Sequence, residues 1–437
     1  MPFGSQPKLS PPLPPSPTTF AARLSRINVL NRLGPGLITG AADDDPSGIA
    51  TYSQAGAQLG LNMLWATVLT FPLMAAAQLV SARIGRVTGH GLAANMKRVF
   101  PSWLVTALVG LLFLANTVNI GADLAAMGAA AELTLGFGQH FFTVIFMVLS
   151  LILQIWVPYH RYVRYLKWLT LVLFAYVGVA FAVHIDWSQV LARTFWPDLA
   201  PGDGLATLVV GVFGTTISPY LFFWQASEEV EEEEIRHAGS LLDHPGEAPA
   251  ELSRIGWDTY LGMAFSNLIA FFIILTTAVT LHATGTTEIQ TSAQAAAALR
   301  PVAGDFAFAL FSLGIIGTGL LAVPVLAGSA AYAIGEARGW PIGLESRPSA
   351  AIRFYVTIAL ATVTGVGIDL SAVDPIKALF WSAVLNGVIA VPILAAMMVV
   401  ASRRHEMGPF VATLGQRVMG WAVTLVMVLA TIAMVVL

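Results

Sequence analysis

The sequence predicts an all-α polytopic membrane protein. Only 11% of its 437 residues are charged and 56% are hydrophobic, whereas a soluble domain carries roughly 25% charged residues. The apolar residues also fall in long continuous runs, and a bilayer core about 30 Å thick needs about 20 such residues per helix. The chain therefore lacks the polar surface of a soluble protein and has the segments that a membrane protein needs.

Eleven apolar runs are long enough to span a bilayer. The predicted spans are 31–59, 61–84, 102–132, 139–158, 162–185, 203–228, 255–284, 303–333, 350–369, 375–401 and 412–436. We expect residues 31–436 to form a single transmembrane domain. Residues 1–30 begin with a Pro- and Ser-rich stretch without an apolar core, and we expect them to form a disordered cytoplasmic tail.

The distribution of basic residues predicts the orientation of the chain. If the N-terminus is cytoplasmic, all but three of the 22 Lys and Arg residues lie inside, the exceptions being Arg193, Arg300 and Lys377. Because cytoplasmic loops are enriched in Lys and Arg, we expect a cytoplasmic N-terminus and, after eleven spans, an outside C-terminus. The expected setting is a bacterial inner membrane, with lipids around the spans.

Several classes of function are disfavoured by the sequence. A net charge of −3 gives no footprint for nucleic acid, and the lack of cysteine excludes thiolate metal ligands. An intramembrane aspartyl protease would need two catalytic Asp residues in Tyr-Asp and Gly-x-Gly-Asp contexts, and the segment 365–369 (Gly-Val-Gly-Ile-Asp) misses this spacing. No nucleotide-binding loop is present. We therefore expect a protein that is not an enzyme.

Two of the spans are interrupted by helix-breaking residues. The first contains Ala-Asp-Asp-Asp-Pro-Ser-Gly at 42–48, and the sixth contains Gly-Thr-Thr-Ile-Ser-Pro-Tyr at 214–220. Proline removes a backbone donor, and glycine tolerates irregular dihedral angles. Each segment should unwind and leave backbone groups that lipid cannot satisfy, so the breaks must face protein or a water-filled cavity.

The two breaks occupy equivalent places if residues 31–185 and 203–401 form two repeats, with 412–436 as an extra helix. Paired Gly/Pro-interrupted spans point to a transporter site near the bilayer midplane. A single Pro is as readily explained by a harmless kink, but two matched breaks, one with three Asp residues, favour a cation site.

These segments resemble the natural resistance-associated macrophage protein (Nramp) family of divalent metal transporters. The similarity is densest at Gly34-Pro35-Gly36 and Asp45-Pro46, and it returns at Gly214-Thr215-Thr216 and Pro219. The resemblance implies a LeuT-type fold of five plus five helices in inverted repeats, with an eleventh helix. It also implies that helices one and six are unwound at mid-membrane and bind a metal between them.

The signatures of the family are only partly kept. The helix-one signature Asp-Pro-Gly-Asn appears as Asp45-Pro46-Ser47-Gly48, and the helix-six signature Met-Pro-His appears as Ser218-Pro219-Tyr220. The carbonyl ligand of the family falls on Thr215. This pattern resembles the divergent Nramp-related branch that includes magnesium transporters.

The substitutions predict a hard metal site. Soft sulfur ligands favour softer transition metals, while carboxylates, carbonyls and water suit Mg²⁺ and Mn²⁺. We expect ligands from Asp43, Asp44, Asp45, the Thr215 carbonyl and Ser218, and the sequence leaves open which of Asp43 and Asp44 joins Asp45. Gly48, without a side chain, leaves room for the water that Mg²⁺ retains. The metal is the transported cargo, with Mg²⁺ favoured over Mn²⁺, and no resident cofactor is expected.

Other polar residues are expected to line or support the pathway. Asn116, Asn119 and Asp123 share one face of helix three. The alternative explanation is that they form hydrogen bonds between packed helices. By the resemblance, Asp123 retains one acid of the proton route, whereas another falls on Asn116. Tyr220 replaces the family's proton-linked His, and a phenol stays protonated at neutral pH. We therefore expect weak or no proton coupling.

The sequence leaves one alternative function open. A LeuT-type, cation-coupled carrier of a small organic substrate such as an amino acid is the alternative function, although three Asp residues would repel a substrate carboxylate.

The acidic run 228–234 after helix six is expected to be solvated, and the loop 231–254 to be flexible. We expect the chain to act as a monomer.

Overall fold

The structure is a computed structural model that describes residues 34–166, 168–199, 204–367, 369 and 373–436. Within these residues the regular secondary structure is helical and contains no β-strand. The predicted disordered tail, residues 1–30, lies outside the described residues.

The α-helices of the described residues are numbered here in chain order. They are α1 (Pro35–Asp43), α2 (Pro46–Leu59), α3 (Trp65–Thr88), α4 (Leu92–Val99), α5 (Ser102–Leu135), α6 (Gln139–Trp156), α7 (Tyr159–Leu166), α8 (Phe174–Ala182), α9 (Trp187–Phe195), α10 (Leu205–Thr216), α11 (Pro219–Ile235), α12 (Ala248–Thr280), α13 (Ser292–Ala297), α14 (Arg300–Ala303), α15 (Ala307–Arg338), α16 (Ile352–Val366), α17 (Pro375–Ser402), α18 (Arg404–Met407) and α19 (Leu414–Val436).

Eight helical segments of the described chain are long and apolar enough to cross a membrane. They are Trp65–Thr88, Ser102–Leu135, Gln139–Trp156, Leu205–Ile235, Pro245–Thr284, Arg300–Arg338, Pro375–Ser402 and Leu414–Val436. The remaining predicted spans are divided or short. The first is split into α1 and α2, and the ninth is the 15-residue helix α16.

The fifth span differs from its prediction as one helix over 162–185. It consists of α7, a 3₁₀ segment at Leu169–Leu173 and α8, which ends at Ala182. The following helix, α9, makes an angle of 118° with the segment Leu169–Ala182. The polypeptide therefore turns sharply aside after the fifth span.

Close helix packing brings the two divided spans to the centre of the fold. Helices α1 and α2 pack on α12, and α10 packs on α17. A methyl group at Gly40 would overlap the carbonyl of Gly262 in α12, and one at Gly214 would overlap the carbonyl of Ala383 in α17. Small residues permit this backbone approach in membrane proteins, where van der Waals packing drives helix association.

The acidic run after helix six is helical and mostly buried, with only Glu234 exposed, so the prediction that the run is solvated is wrong for most of it. Helix α11 continues through it to Ile235, and Glu229 is fully buried. Arg254 binds Glu229 at 2.7 Å and Glu232 at 3.4 Å, and Arg86 binds Glu233 at 3.3 Å. Because arginines from α3 and α12 neutralise these carboxylates, burial becomes tolerable.

The predicted flexible loop 231–254 is also mostly ordered. The end of α11, a 3₁₀ turn at Pro245–Glu247 and the first turns of α12 occupy much of it. Its loop backbone is tied to the end of α3, since the backbone N–H of Leu241 donates to the Arg86 carbonyl at 3.3 Å. Together with the ion pairs of Arg86 and Arg254, these contacts join α3, α11 and α12.

Candidate functional site

The first break lies at the predicted place in the first span. Helix α1 ends at Asp43 and α2 begins at Pro46, with Asp44 and Asp45 between them in non-helical conformations. Asp45 is the N-cap of α2, and Pro46 occupies a first-turn position, where its missing N–H has no helical partner to lose. The local sequence thus both ends one half-helix and starts the next.

The second break has the same organisation. Helix α10 ends at Thr216 and α11 begins at Pro219, with Ser218 as its N-cap residue. The Ser218 hydroxyl lies 2.9 Å from the Gly214 carbonyl and 2.7 Å from the Thr215 carbonyl, and it has one hydrogen to donate. Ser218 and the Thr215 carbonyl, both predicted ligands, are therefore adjacent, and the carbonyl keeps a second lone pair.

Hydrogen bonds join the two breaks. The Tyr220 hydroxyl donates to the Ala42 carbonyl at 3.1 Å, and the hydroxyls of Tyr52 and Thr216 are 2.9 Å apart. Since Ala42 and Tyr52 flank the first break while Thr216 and Tyr220 flank the second, the two unwound segments face each other. Tyr220 thus ties helix one to helix six.

Gly48 lies where the two breaks approach each other closely. A methyl group placed there would lie 3.3 Å from both the Asp43 carbonyl oxygen and the Thr215 hydroxyl oxygen. Both distances are shorter than ordinary van der Waals contact, so a side chain at this position would require its neighbours to shift. That Gly48 leaves room for water at the site stays a prediction.

Asp45 is held by hydrogen bonds on both carboxylate oxygens. Its Oδ1 accepts from the Ser47 hydroxyl and from the backbone N–H of Gly48, each at 2.7 Å. Its Oδ2 accepts from the Asn119 amide at 3.0 Å, and the Asn119 carbonyl oxygen accepts from the Ser382 hydroxyl at 2.6 Å. Asp45 therefore shapes the start of α2 and connects it to α17 and to α5, which is helix three of the predicted spans.

Asp43 and Asp44 share one hydroxyl and each keep a free oxygen. The Ser266 hydroxyl lies 2.6 Å from Asp43 Oδ2 and 3.1 Å from Asp44 Oδ1, but its single hydrogen can serve only one at a time. Asp43 Oδ1 and Asp44 Oδ2 are buried and find no hydrogen-bond partner among the described residues. A buried carboxylate oxygen without a donor is costly, so these atoms need a cation or a proton.

The three carboxylates do not form a ready-made cage. In the described part of the chain, no three His, Cys, Asp or Glu side chains converge closely enough to hold a metal ion. An ion at the breaks would therefore have at most two of these carboxylates as ligands. Mg²⁺ is usually bound in this way.

The helix-three residues divide between support and packing. Asn119 contacts Asp45 directly, whereas the Asn116 amide donates to the Leu326 carbonyl and the Ser329 hydroxyl, both at 2.8 Å. Asn116 thus connects helix three to α15, as the packing alternative predicts. Asp123 is fully buried, and neither carboxylate oxygen has a hydrogen bond of normal geometry within the described residues.

Several residues near the breaks were not predicted. Ser266 and Ser382 were missed because a hydroxyl in an apolar helix usually bonds to its own backbone one turn earlier. Asn386 in α17 is fully buried, and its amide has no partner among the described residues. A methyl group built at Gly319 in α15 would meet both the Met127 sulfur and the ring of Pro46, so this part of α15 lies close to the start of α2. Only Asn386 carried a signal, as a lone amide in an apolar span.

A cavity of about 480 Å³ approaches the site along α2. Its lining residues are Ala50, Gln54, Gln58, Thr287, Glu288, Ile289, Ile376, Lys377, Phe380 and Trp381. Ala50 is about one helical turn beyond Pro46, whereas Asp43, Asp44 and Asp45 are each at most 2% exposed. The cavity therefore reaches towards the breaks without opening them.

Comparisons with known proteins agree with this arrangement. The chain is 25% identical over 427 residues to a protein named divalent metal cation transporter MntH from Klebsiella pneumoniae, covering 93% of this chain and 94% of that protein. It is 26% identical over 418 residues to the protein of the same name from Yersinia pestis, covering 91% and 93%. The similarity therefore spans nearly the whole length of both relatives.

Solved structures share the fold at lower sequence identity. The manganese transporter of Eremococcus coleocola matches 97% of this chain and 88% of its own, with a TM-score of 0.72 and 17% identity. The nucleobase-cation-symport-1 family transporter Mhp1 matches 92% of each chain, with a TM-score of 0.56 and 13% identity. The fold is thus the LeuT-type arrangement of five plus five helices, with an eleventh helix.

The family model described as natural resistance-associated macrophage protein-like matches residues 36–437, which includes both breaks and every predicted ligand. The chain therefore belongs to the natural resistance-associated macrophage protein (Nramp) family.

Proposed function

We propose that this protein moves a hard divalent metal cation, Mg²⁺ or Mn²⁺, across the membrane by alternating access. The observation that carries the proposal is the pair of buried, unpartnered oxygens, Asp43 Oδ1 and Asp44 Oδ2, found within the described chain at the break of helix one. An ionised carboxylate at membrane depth needs a compensating charge, and a divalent cation supplies it.

The donor atoms at the breaks favour a hard ion. They are the carboxylates of Asp43 and Asp44, which each keep a free oxygen, the carboxylate of Asp45, whose oxygens already accept hydrogen bonds, the carbonyl of Thr215 and the hydroxyl of Ser218. Oxygen ligands suit Mg²⁺ and Mn²⁺, whereas the thioether of the family signature favours softer metals. Mg²⁺ keeps several waters and takes one or two carboxylates, which fits a site where the carboxylates do not converge. The manganese transporter of Eremococcus coleocola, whose solved structure has the same fold, supports Mn²⁺ as the second ion.

Transport would require the breaks to open to each side in turn. The three Asp residues are at most 2% exposed, and the 480 Å³ cavity approaches them along one end of α2. Divided helices can hinge at their unwound segments because no continuous ladder of hydrogen bonds crosses them. We propose that α1 and α11 move relative to α2 and α10 to release the ion.

The polar neighbours support weak or absent proton coupling. Tyr220 stands at the position of the family's proton-linked His and donates its hydroxyl to the Ala42 carbonyl. Asn116 stands at the position of a family acid and bonds to α15. Asp123 is the one acid kept on this face of helix three. Addition of Mg²⁺ to vesicles containing the protein should produce little acidification, and robust metal-driven acidification would contradict this part of the proposal.

The proposed setting follows from the basic residues and from the relatives. We propose a cytoplasmic N-terminus and an outside C-terminus in a bacterial inner membrane, acting as a monomeric transporter and not as an enzyme. The matched metal cation transporters come from bacteria, and the Lys and Arg distribution supplies the orientation.

Uptake by proteoliposomes tests the proposal. We expect Mg²⁺ or Mn²⁺ uptake by the natural sequence, and at least a tenfold loss in Asp43→Asn and Asp44→Asn, which keep side-chain size but remove the charge. Asp305→Asn is the matched control, because Asp305 is exposed and far in sequence from the breaks. Unchanged uptake in both site variants would exclude the site. In a separate thermal-unfolding measurement in detergent, stabilisation of the protein by amino acids and not by metals would favour the alternative carrier.

A further inference from the structure

The segment after the fifth span forms a separate short helix beside the membrane-spanning part. Helix α8 ends at Ala182, and α9 begins shortly afterwards at Trp187. The 118° angle between α9 and the segment Leu169–Ala182 turns α9 away from the direction of the span. Since the span crosses the bilayer, a helix that follows so closely and points aside must lie near the membrane surface.

Helix α9 has a well-defined start. The Asp186 Oδ1 atom accepts from the Ser188 hydroxyl at 2.6 Å and from the backbone N–H groups of Ser188 and Gln189 at 3.0 and 3.3 Å. These hydrogen bonds hold the pKa of the Asp186 carboxyl below its usual value, and the largest contribution comes from the Ser188 hydroxyl. The ionised carboxylate satisfies donors that the first turn leaves free, so α9 has a stable N-terminus.

One side of α9 faces the protein. Val190 and Thr194, one turn apart, are buried. They lie where α9 packs on the 3₁₀ turn Gly60–Met63 and on α3. The backbone N–H of Asp198 also donates to the Asn62 side chain at 3.0 Å, which fastens the end of this segment to the same turn.

The adjacent side of α9 is apolar and exposed. Trp187, Leu191 and Phe195 follow each other at intervals of four residues, so they share one face, and they are 48%, 59% and 58% exposed. Gln189 and Arg193 project from the opposite side of the helical wheel. A short helix with one apolar and one polar side is the form that lies in the plane of a membrane interface.

We infer that α9 is an interfacial anchor, with Trp187, Leu191 and Phe195 inserted into the lipid surface at the outer ends of the spans. The occupant of this face is lipid because the apolar surface continues onto the fifth span, where Phe181 is 84% exposed. Trp196, which is 79% exposed, lies just beyond the helix, and Trp is enriched at the membrane–water boundary.

The anchor would fix one end of the half-helix that carries the first break. The turn Gly60–Met63, against which α9 packs, connects α2 to α3. Pro46 is at the other end of α2. The lipid surface thus holds the outer end of α2, so that motion during transport would be concentrated in elements other than this turn.

The lack of cysteine in the chain makes a site-specific test possible. Leu191→Cys and Gln189→Cys, each carrying an environment-sensitive fluorophore, would be reconstituted in phosphatidylcholine vesicles. We expect a nitroxide-bearing lipid to quench the label at 191 at least threefold more than the label at 189, and aqueous iodide to show the reverse order. Gln189 is the matched control because it lies in the same helix on the polar side.

Two outcomes would overturn the inference. Equal quenching of the two labels by iodide would show that the face is in water. Protection of the label at 191 from both quenchers, with disulfide cross-linking between copies of Leu191→Cys, would show that a second copy covers it. Because a single substitution can disturb folding, Trp187→Cys and Phe195→Cys would repeat the measurement, and both must follow the pattern of 191.

Discussion

Replacing Asp45 tests the distinction between an aspartate that shapes the site and aspartates that are free to bind an ion. The Asp45→Ala variant removes the N-cap of α2, which costs about 1 kcal/mol. It also leaves the Ser47 hydroxyl and the Asn119 amide without their acceptor in a buried place, at about 1–3 kcal/mol each. The expected loss of unfolding free energy is therefore about 3 kcal/mol or more.

The matched variant Asp43→Asn should behave differently. Its amide oxygen can still accept from the Ser266 hydroxyl, and Asp43 Oδ1 has no partner to lose within the described chain. We expect little change in the unfolding midpoint without metal. A metal present at 100 times its Kd should stabilise the natural sequence by about 2.7 kcal/mol. Since the unpartnered oxygen is the proposed ligand, this stabilisation should largely disappear in Asp43→Asn.

Thermal unfolding of purified protein in detergent, with and without Mg²⁺ or Mn²⁺, measures both effects. Asp45→Ala should unfold at a clearly lower temperature than the natural sequence in the absence of metal. Asp45→Asn, which keeps an oxygen to cap α2, should fall between the two. The reasoning is refuted if Asp45→Ala unfolds at the same temperature as the natural sequence without metal, or if metal stabilises Asp43→Asn as much as it stabilises the natural sequence.

Three further predictions concern the space, the donor type and the charges around the site. Gly48→Ala should cut uptake several-fold, because its methyl would lie 3.3 Å from both the Asp43 carbonyl oxygen and the Thr215 hydroxyl oxygen; unchanged uptake would count against a site there. Ser218→Met should make Cd²⁺ at least tenfold more effective as a competitor of Mg²⁺ uptake, since a thioether favours softer metals; equal competition in both proteins would remove Ser218 from the site. Arg254→Gln should lower the free energy of unfolding by about 3 kcal/mol, because buried Glu229 loses its cation. A denaturation midpoint that does not change in this variant would show that the ion pair does not contribute to stability.

The acidic run shows why some sequence patterns are interpreted wrongly. A series of Glu residues after an apolar span is usually solvated, since buried charge is costly. Here Glu229 and Glu233 are buried because Arg254 and Arg86 reach them from other helices. The pairing joins residues 147 positions apart in the case of Arg86 and Glu233, and no local pattern indicates it.

The three aspartates show the same limit within the site. Their position at a break could be predicted, but which oxygen stays free could not. That outcome depends on Ser266, which is 223 residues from Asp43, and on Asn119, which is 74 residues from Asp45. Asn116 and Asn119 are likewise indistinguishable as sequence, yet one packs on α15 and the other supports Asp45.

The sequence by itself determined the membrane-spanning class, the family and the places where helices one and six break. These depend on composition and on the dihedral limits and missing donor of Pro46 and Pro219, which act over a few residues. Only the tertiary structure decided the partners of each carboxylate, the burial of the acidic run and the sideways turn of α9. A buried polar atom is satisfied by whatever group folding brings beside it, and that group is often hundreds of residues away.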